Sequence, residues 1–99
     1  MTGVLSNEEI RGRLSAAPGW SFLAEESKLA RQWRFPDFAT ALAFLNRAAA
    51  ICEEQNHHAD FELAWGRVDA TLWSHDVGGI TERDFRLVAA LGGIDRASS

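Results

Sequence analysis

The stretch Phe61-Glu62-Leu63-Ala64-Trp65-Gly66-Arg67-Val68-Asp69-Ala70-Thr71-Leu72 decides the fold. Phe61, Leu63 and Trp65 alternate on the way out, Trp65-Gly66 makes the turn, and Val68, Ala70 and Leu72 alternate on the way back. Alternation of period two around a glycine turn reads as a β-hairpin with one apolar face. A lone hairpin cannot bury that face, so other elements must cover it.

The cover lies immediately upstream. Pro36-Asp37 opens a long helix, predicted over roughly Asp37 to Gln55, with proline suited to the first turn and an acidic residue complementing the dipole. Phe38, Leu42, Leu45, Ala49 and Cys52 recur at steps of four and three, and Phe44, Ala48 and Ile51 widen that stripe. Before the helix, Trp20 to Phe35 reads as another hairpin. Trp20, Phe22 and Ala24 share one face, Leu29, Arg31, Trp33 and Phe35 share one face, and Glu25-Glu26-Ser27-Lys28 makes the turn.

The ends complete the pattern. Ser6 and Glu9 form a capping box, Leu5 and Ile10 sit at staple positions, and Pro18-Gly19 stops the first helix. After the second hairpin, Gly78-Gly79 breaks the chain. Thr81 with Asp84 caps a last helix, with Ile80 and Phe85 as its staple and Phe85, Val88 and Leu91 facing the core. Gly92-Gly93 is predicted to end it, and Ala97-Ser98-Ser99 to fray. The order is helix, hairpin, long helix, hairpin, helix. The class is therefore α+β, an antiparallel sheet with helices packed on one face. Trp73 has the parity of Asp69 and Thr71, so it reads as a subunit interface, a ligand wall or a tolerated surface indole.

Ninety-nine residues make one domain spanning 1–99, and 46% hydrophobic with 24% charged residues excludes a disordered or fibrous chain. Such a chain has room for one core but no deep cavity, so a site would be shallow or completed by another subunit. A net charge of −4 with no basic stripe argues against direct nucleic-acid binding. The single Cys52 cannot form an internal disulfide. The first residues lack the basic and apolar regions of a signal peptide, and the longest apolar run, Ala48 to Cys52, is far too short for a membrane span. A cytoplasmic protein is expected.

All three histidines flank the second hairpin. His57-His58 precedes its first strand and His75 follows its second, so the open end of the hairpin brings three imidazoles to one corner. Imidazole gives and takes protons near neutral pH, and two or three around one substrate can remove one proton while delivering another. Glu53, four residues before His57, can reach that ring if the helix persists. Metal binding is the rival chemistry. The adjacent pair lacks the i, i+4 spacing that grips an ion, and Cys52 falls on the apolar stripe, so no metal site is assigned. Asp84 is explained by the Thr81 cap alone, and Asp60 and Glu62 mark the solvated face of a strand.

Glu53-Glu54-Gln55-Asn56-His57-His58, then Trp65, His75 and Thr81-Glu82-Arg83-Asp84, resembles the signature of the pterin-4a-carbinolamine dehydratases. The likeness extends to the element order from Trp20 to about Leu91. One departure is Ala59, where the family usually has proline after the histidine pair. The resemblance implies a four-stranded antiparallel sheet with helices on one side. It implies dehydration of 4a-hydroxytetrahydrobiopterin to quinonoid dihydrobiopterin, with no cofactor and no metal, by a hydro-lyase of tetrahydrobiopterin recycling. His57, His58 and His75 would be the acid–base groups, with Glu53 as an orienting residue. Trp20 and the Trp73-Ser74 backbone would line the pterin, and Asp84 would be the family's distant aspartate. Expected partners are the small-molecule pterin and further copies of the chain, as homodimer or homotetramer. The alternative is a non-catalytic interaction module of the dimerisation-cofactor or transcriptional-coactivator type.

Overall fold

A computed structural model describes residues 3–98, with side chains through Ile94. Helix α1 (Asn7–Arg13) carries the full capping box: Ser6 Oγ accepts from the Glu9 N–H, and the Glu9 carboxylate accepts from the Ser6 N–H. A 3-10 turn (Leu14–Ala16) leads to β1 (Ser21–Leu23) and β2 (Lys28–Arg34), joined through Ser27 in the left-handed region. Helix α2 (Phe38–Gln55) is capped by Asp37, whose carboxylate accepts from the Thr40 N–H at 2.8 Å. Strands β3 (Asp60–Ala64) and β4 (Arg67–Leu72) form the second hairpin, and α3 (Glu82–Ser98) closes the chain.

The sheet is four-stranded and antiparallel in the order β1-β2-β4-β3. Both hairpins form, and β2 pairs with β4 from Leu29↔Leu72 to Arg34↔Arg67. Leu29, Trp33, Val68, Ala70 and Leu72 face the helices and are buried, as the alternation requires. The opposite face carries a polar network. Asp69 accepts from Gln32 and Arg67, and Arg34 donates to Gln32.

Two expectations are corrected. The buried line of α2 is Ala41, Phe44, Ala48 and Cys52, whereas Phe38, Leu42 and Ala49 are exposed. The helix is apolar around more than half its circumference, and Leu42 lies roughly a third of a turn from Ala48. The sheet takes the line whose small alanines permit close approach, with Phe44 against Trp33 at 4.8 Å and Phe35 at 5.2 Å. Helix α3 also runs through Gly92-Gly93 to Ser98. Each helical glycine costs about 1 kcal/mol relative to alanine, less than the roughly 1.5–3 kcal/mol from burying one large aliphatic side chain. Leu91 and Ile94 are both buried, so continuing the helix wins. Of the expected frayed tail, Ala97 and Ser98 lie within the helix, and Ser99 is outside the described residues.

Candidate active site at the open end of the second hairpin

The open end of the β3–β4 hairpin does bring the histidines together. His57, His58, Trp73 and His75 line one cleft of about 350 Å³ with Asn56, Asp76 and Arg83. Asn56 shapes it. As the C-cap of α2 it adopts φ 53°, ψ 41°, which turns the chain sharply out of the helix. The turn breaks the i, i+4 relation on which the expected Glu53–His57 contact depended. Glu53 instead meets the Nε2 of His58.

His57 turns inward. Its Nε2 lies 2.6 Å from Asp84 Oδ1, the His57 side chain is 10% exposed and that of Asp84 is 0% exposed. The other Asp84 oxygen accepts from Ser74 Oγ–H at 2.8 Å and from the Thr81 N–H at 2.9 Å. Ser74 and Thr81 hydroxyls also bond each other at 2.8 Å, and the Arg83 N–H donates to Thr81 Oγ1. Thus the cap predicted at the start of α3 is present, and the same carboxylate that closes it holds an imidazole. A residue with a sufficient local reason carries a second, tertiary one.

Ser74 does more than line a wall. Fully buried, it fastens the His75 loop: its N–H donates to Gly79 O at 2.8 Å, and its carbonyl accepts from Val77 and Gly78. Gly78 at φ 65° allows that tight return. The Ser74 side chain is spent on Thr81 and Asp84, so it faces the network behind the cleft. His75 stacks on Trp73 at 4.1 Å and, among the described residues, has no carboxylate partner. Trp73, whose parity left three readings open, is a wall of the cleft, with the Lys28 ammonium 4.3 Å from its ring centroid.

Trp20 is not in this cleft. It is buried in the core, edge-on to Trp33 at 5.7 Å, and lines a separate groove against α3. Asp76 and Arg83 are the site residues the sequence reading missed. They form a 2.7 Å ion pair at the cleft, and the Arg83 hydrogen bond holds the Asp76 carboxyl below the usual range. Their only sequence signals are adjacency to His75 and to Asp84. Cys52 is buried behind the site, and burial pushes its thiol up, which suits a core residue and not a nucleophile. Among the described residues no three His, Cys, Asp or Glu side chains converge to hold a metal ion, and no helix is long and apolar enough to cross a membrane.

Such an arrangement can move protons: three imidazoles on one shallow cleft, two oriented by carboxylates and one by stacking. Comparison with known proteins gives it a context. Residues 3–94 match the family model described as pterin 4 alpha carbinolamine dehydratase. A Rubrobacter xylanophilus relative named "Putative pterin-4-alpha-carbinolamine dehydratase" is 41% identical over 85 residues, covering 86% of this chain and 78% of that one. One from Nostoc sp. with the same name is 38% identical over 95 residues, covering 96% of this chain and all of the other. The crystal structure of a transcriptional coactivator/pterin dehydratase from Brucella melitensis superposes with a TM-score of 0.87 at 33% identity, covering 92% of this chain and 97% of that one. A pterin dehydratase-like protein identified as a RuBisCO assembly factor in the alpha-carboxysome shares the fold alone, at TM-score 0.62 and 24% identity over 74% of this chain and 84% of that one. With a family model spanning nearly its whole length and relatives this similar, the chain belongs to the pterin 4 alpha carbinolamine dehydratase family.

Proposed function

We propose that the protein dehydrates 4a-hydroxytetrahydrobiopterin to quinonoid dihydrobiopterin, the recycling step that follows aromatic amino-acid hydroxylation. The observation that carries this reading is the convergence of His57, His58 and His75 on one cleft, with Asp84 and Glu53 each turned to one ring. The reaction breaks the C4a–O bond and a ring N–H bond, forms a C=N bond and releases water. It therefore needs one group to take the N–H proton and another to protonate the departing hydroxyl. Neither redox change nor cofactor enters that balance.

The chain's own residues divide as follows. Asp84 accepts from His57 Nε2–H, which leaves Nδ1 as the ring nitrogen for proton transfer and holds the ring in one tautomer. His58 is oriented in the same way by Glu53 from the solvent side. His75 is oriented by Trp73, whose face also offers a wall for a flat heterocycle. The substrate loses water slowly unaided, so positioned acid–base groups need supply only about 10²–10⁴-fold. Stopped-flow decay of the carbinolamine, with and without protein, tests the proposal. Acceleration is expected, and its loss is expected in His57→Ala and His58→Ala variants. Full activity in both variants would overturn it.

A second reading has its own observation. Phe38 (44% exposed), Leu42 (38%) and Trp65 (68%) are large apolar side chains at the surface, and none lines the histidine cleft. A coactivator-type interaction module, or self-association as a dimer or tetramer in the cytoplasm, would use such a surface. Stoichiometric capture of a protein partner without pterin turnover would favour the module. Light scattering that shows only monomer at micromolar concentration would remove self-association.

A further inference from the structure

Resting on the dehydratase reading, we propose that Thr81 is a positioning residue for the reaction, acting on His57 from behind the cleft through Ser74 and Asp84. Thr81 is 5% exposed and lines no part of the histidine cleft. Capping accounts for only part of it. The cap uses its backbone N–H, which donates to Asp84 Oδ2 at 2.9 Å, and its hydroxyl oxygen, which accepts from the Arg83 N–H at 3.2 Å. The hydroxyl proton is left over, and a buried donor without an acceptor is costly.

Where that proton goes follows from counting donors. Ser74 Oγ lies 2.8 Å from Thr81 Oγ1 and 2.8 Å from Asp84 Oδ2. A carboxylate oxygen only accepts, so the single Ser74 hydroxyl proton points at Asp84, and the proton between the two hydroxyls belongs to Thr81. The bonds therefore run one way, from the Arg83 N–H through Thr81 and Ser74 to Asp84 Oδ2. The other oxygen of the same carboxylate meets His57 Nε2 at 2.6 Å. Both hydroxyls hang on fixed backbone. Ser74 is pinned by its N–H on Gly79 O, and Thr81 by the Asp84 N–H on its carbonyl at the start of α3. Two donors from separate segments hold Oδ2, which fixes the direction of Oδ1 and with it the His57 ring. Ser74, Thr81 and Asp84 are all buried, where each bond in such a chain polarises the next.

The test uses the full chain with two readouts: carbinolamine turnover, and the proton NMR resonance of His57 Nε2–H, assigned by its absence in His57→Ala. Thr81→Val keeps the side-chain shape and the backbone N–H on Asp84 but removes the hydroxyl. It should lower kcat by about 3–10-fold with KM within about twofold, the size of one lost hydrogen bond. The His57 resonance should move upfield as its bond to Asp84 relaxes. Thr81→Ser, which restores the O–H, should restore both readouts while losing stability with the methyl. In a Ser74→Ala background, Thr81→Val should lower kcat no further, because the chain is already cut, whereas a purely structural cap would carry its loss over unchanged. Parent kcat with an unmoved His57 resonance in Thr81→Val, a Thr81→Ser variant as slow as Thr81→Val, or an undiminished further loss in Ser74→Ala would each overturn the proposal. If the parent protein does not turn over the carbinolamine, the dehydratase reading fails and the His57 resonance alone decides whether Thr81 sets that ring. Should Thr81→Val fail to fold, Thr81→Cys, with its weak S–H donor, decides by the same readouts.

Discussion

His57 and His58 are neighbours in sequence, and each has one carboxylate against Nε2, yet they occupy different physical worlds. The His57–Asp84 side chains are 10% and 0% exposed, whereas His58–Glu53 are 52% and 78% exposed. Asp84 accepts three hydrogen bonds in a network built from Ser74, Thr81 and the start of α3. Glu53 reaches its ring from the last turn of α2 across solvent. The lesson is that the same residue pair can be a structural strut or a loose tether, and burial with secondary hydrogen bonds decides which.

The comparison breaks most readily at Asp84. Removing one partner of a buried pair leaves the other uncompensated, so Asp84→Ala is expected to cost about 3–5 kcal/mol in urea denaturation and to abolish dehydratase activity. A variant as stable as the parent would show that the network is ornamental. Next, His57→Ala should slow the reaction by about 10²–10⁴-fold, with Asp84→Asn partly reproducing the loss through the wrong tautomer.

A double-mutant cycle sharpens the contrast between the pairs. Coupling between His58 and Glu53 should be about 0.2–1 kcal/mol and fade with added salt, while His57–Asp84 coupling is larger and resists it. Glu53→Gln alone should therefore leave stability within about 1 kcal/mol of the parent. Equal couplings would erase the distinction.

The smallest effect belongs to the exposed pair at the cleft. The Arg83 hydrogen bond, the largest influence on Asp76, holds its carboxyl below the usual carboxylate range. A depressed folded-state pKa contributes stability above the unfolded value and loses it as pH falls through the folded one. The urea-midpoint difference between the parent and Arg83→Gln should therefore be present at neutral pH and shrink on acidification below about pH 4. A difference that grows on acidification would contradict the ion pair.

The Thr81–Asp84 cap, the Ser6–Glu9 box and both hairpins were legible because each is a local device. Capping spans three residues, and strand alternation needs only its own period. The three-histidine corner was legible by one further step, since a hairpin's two open ends must meet. Four things were not. The choice between the two apolar lines of α2 depends on which one meets the sheet, which put Phe38 and Leu42 outside and Ala41 inside. The run of α3 through Gly92-Gly93 depends on the pocket waiting for Ile94. The position of Trp20, beside Trp33 and outside the histidine cleft, is set by how the chain before β1 packs under α3. Glu53 was paired with the wrong ring because a single left-handed residue, Asn56, rotates everything after it.

The amino-acid sequence by itself determined the α+β class, the element order, the helix starts and the convergence of His57, His58 and His75, since periodicity, caps and turns act over a few residues. Only the tertiary structure decided which carboxylate serves which imidazole. Asp84 lies 27 residues from His57 along the chain. No local rule joins residues so far apart; α2 and α3 must both be packed on the sheet before the carboxylate that caps one helix can hold the ring that follows the other.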